Sequence, residues 1–117
     1  MTNNDRNDAV FFSLAHAARR RMLDLLVASP GMSVKAMASH FDMSRIAVMK
    51  HLGVLEDAGL LLSKKEGRTR QLFFNSVPIQ MIYDRWTTQY GAFWSERMVD
   101  LKARLERRAS GEEPQSA

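Results

Sequence analysis

The feature that most constrains the fold is a pair of short helical segments joined by about three residues. Ser33 can cap a helix of about two turns with the sequence VKAMASHF. After a short connection, Ser44 can cap a longer helix from Arg45 to about Ala58. Gly59 follows at a position where glycine commonly ends a helix. Two helices with so short a connection, the second the longer, predict a helix-turn-helix.

A helical wheel of the second segment separates a core face from an exposed face. At about 100° per residue, one side gathers small and apolar residues with one histidine, namely Ala47, Val48, His51, Leu52, Leu55 and Ala58. The other side gathers Ile46, Met49, Lys50 and Gly53, with Arg45 at the border. We therefore expect the second group to face solvent or a ligand. On the core side, His51 is expected to be a hydrogen-bonded structural residue.

The sequence LLLSKKEGRTRQLFFN, directly after the helix-turn-helix, predicts a β-hairpin. Two runs with high β propensity flank Glu66-Gly67, which is a turn signal. Four positive charges, at Lys64, Lys65, Arg68 and Arg70, are opposed in this segment only by Glu66. Such a hairpin after a helix-turn-helix is a wing.

Helical periodicity continues on both sides of this unit. After a polar segment, 1–8, apolar residues recur from Ala9 to Ala28 and predict one amphipathic helix or a closely joined pair, capped at Asn7 or Asp8. A second amphipathic stretch runs from Ile79 to about Arg108 and, if helical throughout, would be about 45 Å long. Such a helix usually packs against a second chain. The fold class is mainly α with a small β-hairpin, in one domain over 9–108, and residues 109–117 are expected to be disordered.

Charge and composition narrow the class of partner. The 117 residues carry 17 Lys and Arg against 13 Asp and Glu, a formal charge of +4. This excess favours a polyanionic partner, with nucleic acid before an anionic membrane surface. The chain has no apolar run of membrane-spanning length and no signal-peptide pattern, so we expect a cytoplasmic protein without a membrane partner.

Several classes of chemistry are excluded or disfavoured. The absence of cysteine excludes disulfides, thiolate metal sites and thiol catalysis. The three histidines, His16, His40 and His51, are too scattered in the sequence for a metal-ligand set. There is no glycine-rich phosphate loop and no nucleophile elbow. The sequence therefore predicts no enzyme, no metal and no cofactor.

The exposed face of the second helix suits the major groove of DNA. That groove admits an α-helix and presents thymine methyl groups beside hydrogen-bonding edges, so we expect Ile46 and Met49 to contact bases through apolar side chains. Arg45 can pair with guanine or a phosphate. Lys50 is better suited to a phosphate, and guanine is its alternative partner. Ser44 and the helix N-terminus suit a backbone phosphate. The four cations of the wing suit the phosphate backbone or a minor groove.

The chain resembles the ArsR-type winged helix-turn-helix regulators over roughly residues 9–108. The segments that carry this resemblance are SLAHAARRRMLDLL, MASHFDMSRIAVMKHLGVLEDAGLL, KKEGRTRQLFF and YDRWTTQYGAFWSERMVDLKARLE. It implies a homodimeric transcriptional repressor, paired through its first and last helices, on a pseudo-palindromic operator with half-sites about 34 Å apart. The implied dimer residues are Phe11, Phe12, Trp86, Tyr90, Phe93, Trp94, Met98, Leu101 and Leu105.

The chain departs from the family's pattern at informative positions. Where metal sensors of the family carry a cysteine pair, this chain has Ser33 and Lys35, and its last helix has no histidine, so it resembles a metal-free branch. Ala17 follows His16, where the family usually has proline, which would soften the break between the first two helices. In the recognition helix, Ile46 and Met49 replace the frequent proline and serine, and Gly53 replaces a frequent basic residue.

Three questions stay open at the level of sequence. The aromatic residues Trp86, Phe93 and Trp94 can form a dimer core or line a pocket for an organic effector, which would make the protein a ligand-responsive repressor. A protein-interaction module of the same fold would bind all DNA weakly. The arginines at positions 19–21 can lie within the dimer interface, form pairs within a helix, or contact flanking phosphates.

Overall fold

A computed structural model of the chain describes residues 2–88 and 91–111, apart from the side chains of residues 91–93. The predicted dimer residues Tyr90 and Phe93 therefore lie outside the described side chains, and residues 112–117 lie outside the description. The described residues form six helices and three strands: α1 (Asn3–Leu14), α2 (Ala17–Ala28), β1 (Met32–Ser33), α3 (Val34–Ser39), α4 (Arg45–Asp57), β2 (Leu61–Glu66), β3 (Thr69–Phe74), α5 (Val77–Thr87) and α6 (Gly91–Ser110). Contacts divide the chain into two compact units, of which the first ends at Gln80 and the second begins at Met81.

The two helices of the helix-turn-helix begin at the predicted residues and have the predicted caps. The predicted end of α3 was wrong, because α3 ends at Ser39, two residues earlier, and the connection to α4 is residues 40–44 rather than about three residues. Oγ of Ser33 accepts a hydrogen bond from the amide of Ala36, and Oγ of Ser44 accepts one from the amide of Ala47. After α4, Gly59 adopts φ 78°, a left-handed conformation that glycine tolerates better than other residues. The amides of Gly59 and Leu60 bond back to carbonyls in the last turn of α4, which closes the helix.

The wing is an antiparallel hairpin of β2 and β3, as predicted, with the turn at Gly67. Its inner strand also pairs with β1, so the sheet order is β1-β3-β2. We did not predict β1, which has only two residues, Met32 and Ser33, and therefore too few to show a period of two. Through this pairing, the wing is joined to the residue that caps α3.

The N-terminal helices form a closely joined pair, one of the two arrangements that the periodicity allowed. The predicted cap at Asn7 or Asp8 was wrong, because α1 begins at Asn3 within the polar segment. Thr2 and Asp5 form a capping box, in which the amide of Asp5 donates to Thr2 Oγ1 and the amide of Thr2 donates to Asp5 Oδ2. The break before α2 is present without proline, since His16 Nδ1 accepts a hydrogen bond from the amide of Ala18.

The core of the first unit confirms the predicted core face of α4. Val48, Leu52 and Leu55 are buried there. The other buried apolar residues before residue 80 come from α1, α2, α3 and the sheet region, and they are Val10, Met22, Leu23, Leu26, Val34, Met37, Leu60, Leu61 and Leu72. The recognition helix is thus held by one side and leaves the other side open.

The C-terminal stretch is not one continuous helix. α5 ends at Thr87 with a turn at Thr88, and α6 begins at Gly91. α6 continues to Ser110, so its end lies two residues inside the segment predicted to be disordered. Among the described residues, no helix has both the length and the apolar character needed to cross a membrane.

Candidate nucleic-acid interface

The open side of α4 carries the residues that the helical wheel assigned to it. Ile46 is 70% exposed and Met49 is 40% exposed, although both are apolar. Arg45 and Lys50 are exposed beside them. We call this set, with Gly53, the reading face of α4. Ile46 and Met49 thus lie together on the side of the helix that faces away from the core.

The N-terminus of α4 adds a phosphate-binding geometry to this face. Ser44 Oγ uses one lone pair to accept the amide of Ala47 at 3.1 Å, which leaves its hydroxyl hydrogen available to donate. The amides of the first turn and the helix dipole favour an anion at this end. Arg45, the first residue of the helix, adds a full positive charge there.

The wing presents three of its four predicted cations to solvent. Lys64, Lys65 and Arg68 are exposed at or near the tip of the hairpin. Arg70 differs from them, because its Nη2 lies 3.2 Å from Glu56 Oε2 and donates to Ser63 Oγ at 2.8 Å. Glu56 belongs to the last turn of α4, so this ion pair connects the wing to the recognition helix.

A buried arginine lies behind the reading face, and the sequence reasoning missed its role. Arg19 is only 6% exposed. Its Nε donates to the carbonyl of Ser13 at 2.7 Å, and its Nη2 donates to the carbonyl of Phe12 at 3.0 Å. These are carbonyls at the C-terminal end of α1, where cationic donors are favourable. The signal was available, because Arg19 falls three residues before the buried Met22 on the inner face of α2.

Arg19 also reaches the recognition helix. Its Nη1 lies 3.1 Å from Nδ1 of His51. The guanidinium can only donate, so Nδ1 accepts the hydrogen bond and the His51 ring carries its proton on Nε2. The His16 ring lies 4.5 Å from the His51 ring. Burial lowers the pKa of His51, and the nearby His16 and Arg19 lower it further. The prediction that His51 is a hydrogen-bonded structural residue is confirmed.

The other two arginines of α2 also have partners within the chain. Arg20 Nη1 donates to the carbonyl of Leu14 at 2.7 Å, and the Arg21 guanidinium lies 5.3 Å from the centre of the Phe41 ring. Both residues are exposed. These contacts therefore hold the two exposed arginine side chains in place on the surface.

Exposed apolar side chains mark α1 and α6, the helices expected to dimerise. In α1, Phe11 and Phe12 are exposed. In α6, exposed apolar residues recur at steps of four, three and four, at Trp94, Met98, Leu101 and Leu105. This spacing places them on one side of the helix, which we call the α6 stripe. Trp86 of α5 is also exposed. Among the described residues, no group of three metal-ligating side chains is close enough to hold an ion.

Comparison with known proteins agrees with this geometry. Residues 14–63 match the helix-turn-helix domain family. The uncharacterized HTH-type transcriptional regulator YuzN of Bacillus subtilis (strain 168) is 37% identical over 89 residues, covering 71% of this chain and 97% of that protein.

Two solved structures are similar to this chain over a longer part of its length. The crystal structure of an ArsR family transcriptional regulator superposes with a TM-score of 0.67 at 29% identity and covers 79% of this chain and 93% of that one. An ArsR-like transcriptional regulator from Rhodococcus sp. RHA1 gives 0.65 at 27% identity, over 86% and 92% of the two chains. The chain therefore belongs to the ArsR-type winged helix-turn-helix family, as a transcriptional regulator with a helix-turn-helix DNA-binding domain and not an enzyme.

Proposed function

We propose that this regulator is a homodimeric repressor that binds a pseudo-palindromic operator, its own promoter being one candidate. The observation that carries the proposal is the reading face of α4, where two apolar residues stay exposed beside Arg45 and Lys50. Exposure of this kind on a capped helix suits insertion into a major groove. The protein would repress by occupying DNA that the transcription machinery needs.

The proposed DNA contacts are of two kinds: some position the protein on the duplex, and the others specify the base sequence. Ser44 and the N-terminus of α4 bind a backbone phosphate, and Lys50 binds a second one. Ile46 and Met49 contact base edges by apolar packing, and Arg45 pairs with a guanine or a phosphate. In the wing, Lys64, Lys65 and Arg68 follow the phosphate backbone or enter a minor groove. Arg70 contributes less to DNA binding than these three, because it is paired with Glu56 within the chain.

A second copy of the chain is the proposed partner of the apolar helix faces. The α6 stripe exposes four large apolar residues, and isolated helix faces of this kind are normally buried against another element. Pairing through α1 and α6 in a two-fold dimer presents two reading faces related by symmetry. Two such faces match an inverted repeat with half-sites about one helical turn, ~34 Å, apart.

Selection of bound duplexes from a random-sequence pool tests the proposal directly. We expect an inverted repeat to be enriched, and the protein to sediment as a dimer both alone and on the selected duplex. A protein that binds the selected and the random duplexes equally would be a protein-interaction module with a basic surface. Inspection of the DNA upstream of the gene for the same repeat then tests autoregulation.

A second candidate is a repressor released by an organic effector. The observation that favours it is the exposure of Trp86 and Trp94, two large aromatic side chains that could line a binding site. Titration of small aromatic and aliphatic compounds should then quench tryptophan fluorescence and release the selected duplex at the same concentrations. If no compound does both, the aromatic residues belong to the dimer interface alone.

A further inference from the structure

Gly53 lies in the interior of α4, where glycine is normally unfavourable. It is followed by four more helical residues, and its φ is not in the left-handed region. Glycine is among the least favourable residues in a regular helix interior, because its backbone loses the most freedom on folding. Neither a turn nor a special backbone conformation explains the residue at this position.

Packing within the chain does not require the glycine either. A Cβ atom built at Gly53 would have no neighbouring atom within 4 Å, apart from the adjacent residues and the local helix backbone. For comparison, a Cβ at Gly31 would lie 3.6 Å from the Phe73 ring. The space beside Gly53 is open, so alanine would fit the folded chain and favour the helix. A surface that approaches from outside is the remaining physical reason for the missing side chain.

The position of Gly53 identifies that surface. It lies four residues after Met49 and three after Lys50, so it is their neighbour on the next turn of the same face. Ile46 lies two turns before it on this face. An object that contacts Ile46 and Met49 along the helix axis therefore passes directly over Gly53.

We infer that the missing side chain at Gly53 leaves space that lets α4 lie deep in the major groove. At this depth, Ile46 and Met49 can contact thymine methyl groups. Apolar contact requires carbon atoms within about 4 Å, a shorter reach than a charged side chain needs to attract a phosphate. A methyl group added at Gly53 would meet the DNA and hold the helix outward. This inference rests on the proposed function and adds a ligand class, an operator with thymines beneath Ile46 and Met49.

The inference predicts that stability and binding respond in opposite directions. Gly53→Ala should raise the Tm by about 3 to 6 °C, because alanine favours the helix. The same variant should bind the selected duplex about five- to tenfold more weakly, and random DNA almost as well as the parent does. Val27→Ala is the matched control, since Val27 is exposed on α2 and alanine also favours that helix. It should raise the Tm without weakening operator binding.

Two further probes make the outcome decisive. The selected duplex prepared with deoxyuridine in place of thymidine lacks only the methyl groups, and the parent protein should bind it several-fold more weakly. Gly53→Ala should lose much less affinity on this change, because its methyl contacts are already lost. Gly53→Lys should weaken specific binding even though it adds a positive charge.

Each contrary result has a distinct meaning. The proposed role of Gly53 is wrong if Gly53→Ala binds the selected duplex as tightly as the parent does. It is also wrong if Gly53→Lys binds that duplex more tightly and with a steeper salt dependence. If the parent binds the thymidine and deoxyuridine forms of the selected duplex equally, the proposed contacts with thymine methyl groups are wrong. In these cases the regulator still selects its operator. If the parent does not distinguish selected from random DNA, the proposed function fails as well.

Discussion

Arg19 and His51 connect two helices through one hydrogen bond of 3.1 Å, from a guanidinium that is always charged to a ring nitrogen that must stay unprotonated. His51 lies in α4, directly after Lys50 of the reading face. Protonation of His51 would place a hydrogen on Nδ1, so that this nitrogen and the Arg19 guanidinium would both be donors. His16, the neighbouring ring, provides no negative charge to compensate. Protonation of His51 would therefore remove the hydrogen bond that joins α2 to the recognition helix.

The first prediction concerns the pH dependence of stability. The pKa of His51 is lowered in the folded protein, so the unfolded chain binds a proton more readily. The contribution of His51 to stability is then complete above its unfolded pKa of about 6.5, and is lost as the pH falls through the lowered folded pKa. We expect the urea midpoint to fall between pH 7.5 and pH 5.5, and this fall to be smaller in His51→Gln.

His40→Gln is the control for this prediction. His40 is exposed at the C-terminal end of α3, whereas Arg19 and His51 belong to α2 and α4. It should keep the full decrease in urea midpoint that the parent shows. An equal decrease in the parent and in His51→Gln would show that other groups cause the pH dependence.

The second prediction concerns the buried arginine. Arg19→Met removes three hydrogen bonds and leaves the carbonyls of Phe12 and Ser13 without this donor. Loss of charged hydrogen bonds at a buried site should lower the free energy of unfolding by about 2 to 4 kcal/mol. Arg20→Met, one residue along and exposed, should change it by less than about 1 kcal/mol. Chemical denaturation of both variants measures the contrast, and equal losses would contradict a special role for Arg19.

Local signals made the helix-turn-helix and wing predictable, and longer-range contacts did not have such signals. Ser44 and Gly59 predict the two ends of α4, and Gly67 predicts the turn of the wing. Each of these residues acts on the backbone within a few residues of itself. Arg70 pairs with Glu56, which lies fourteen residues away in the sequence and faces it only after folding. The β propensity and the turn signal predicted the hairpin that carries this arginine, but they could not show that an acid on α4 would be its partner.

The third prediction separates Arg70 from the other wing cations. Arg70 is half-exposed and paired with Glu56, whereas Lys64 is exposed. Lys64→Gln should reduce the slope of log K against log salt by about 1, as expected for one lost phosphate contact, and Arg70→Gln should reduce it by less than about half of that. Glu56→Gln should increase affinity for random DNA by about two- to threefold, because it releases Arg70 and removes a negative charge. Equal slopes for the two single variants would place Arg70 on a phosphate.

The fourth prediction tests the tip of the wing. The double variant Lys64→Gln/Lys65→Gln should lose affinity for selected and random duplexes by similar factors, because phosphate contacts carry no sequence information. The salt slope should fall by about 2. The control is Lys102→Gln/Arg107→Gln, which removes the same charge from exposed positions of α6. If the control changes the slope as much as the wing variant does, only net charge matters and the wing does not contact DNA.

The last prediction concerns the α6 stripe. Leu101 is an exposed apolar residue within the stripe, between Met98 and Leu105. In the proposed dimer, Leu101→Glu buries a carboxylate among apolar side chains, which is costly without a partner, so the variant should sediment as a monomer at concentrations where the parent is a dimer. A monomer presents one reading face, so its affinity for the full inverted repeat should approach that for a single half-site. Ser95→Glu adds the same charge one residue after Trp94, about 100° away around the helix, and should leave the dimer intact. A dimeric Leu101→Glu protein would show that the stripe is not the dimer interface, whereas a monomer that still binds the full repeat as the parent does would separate dimerisation from operator recognition.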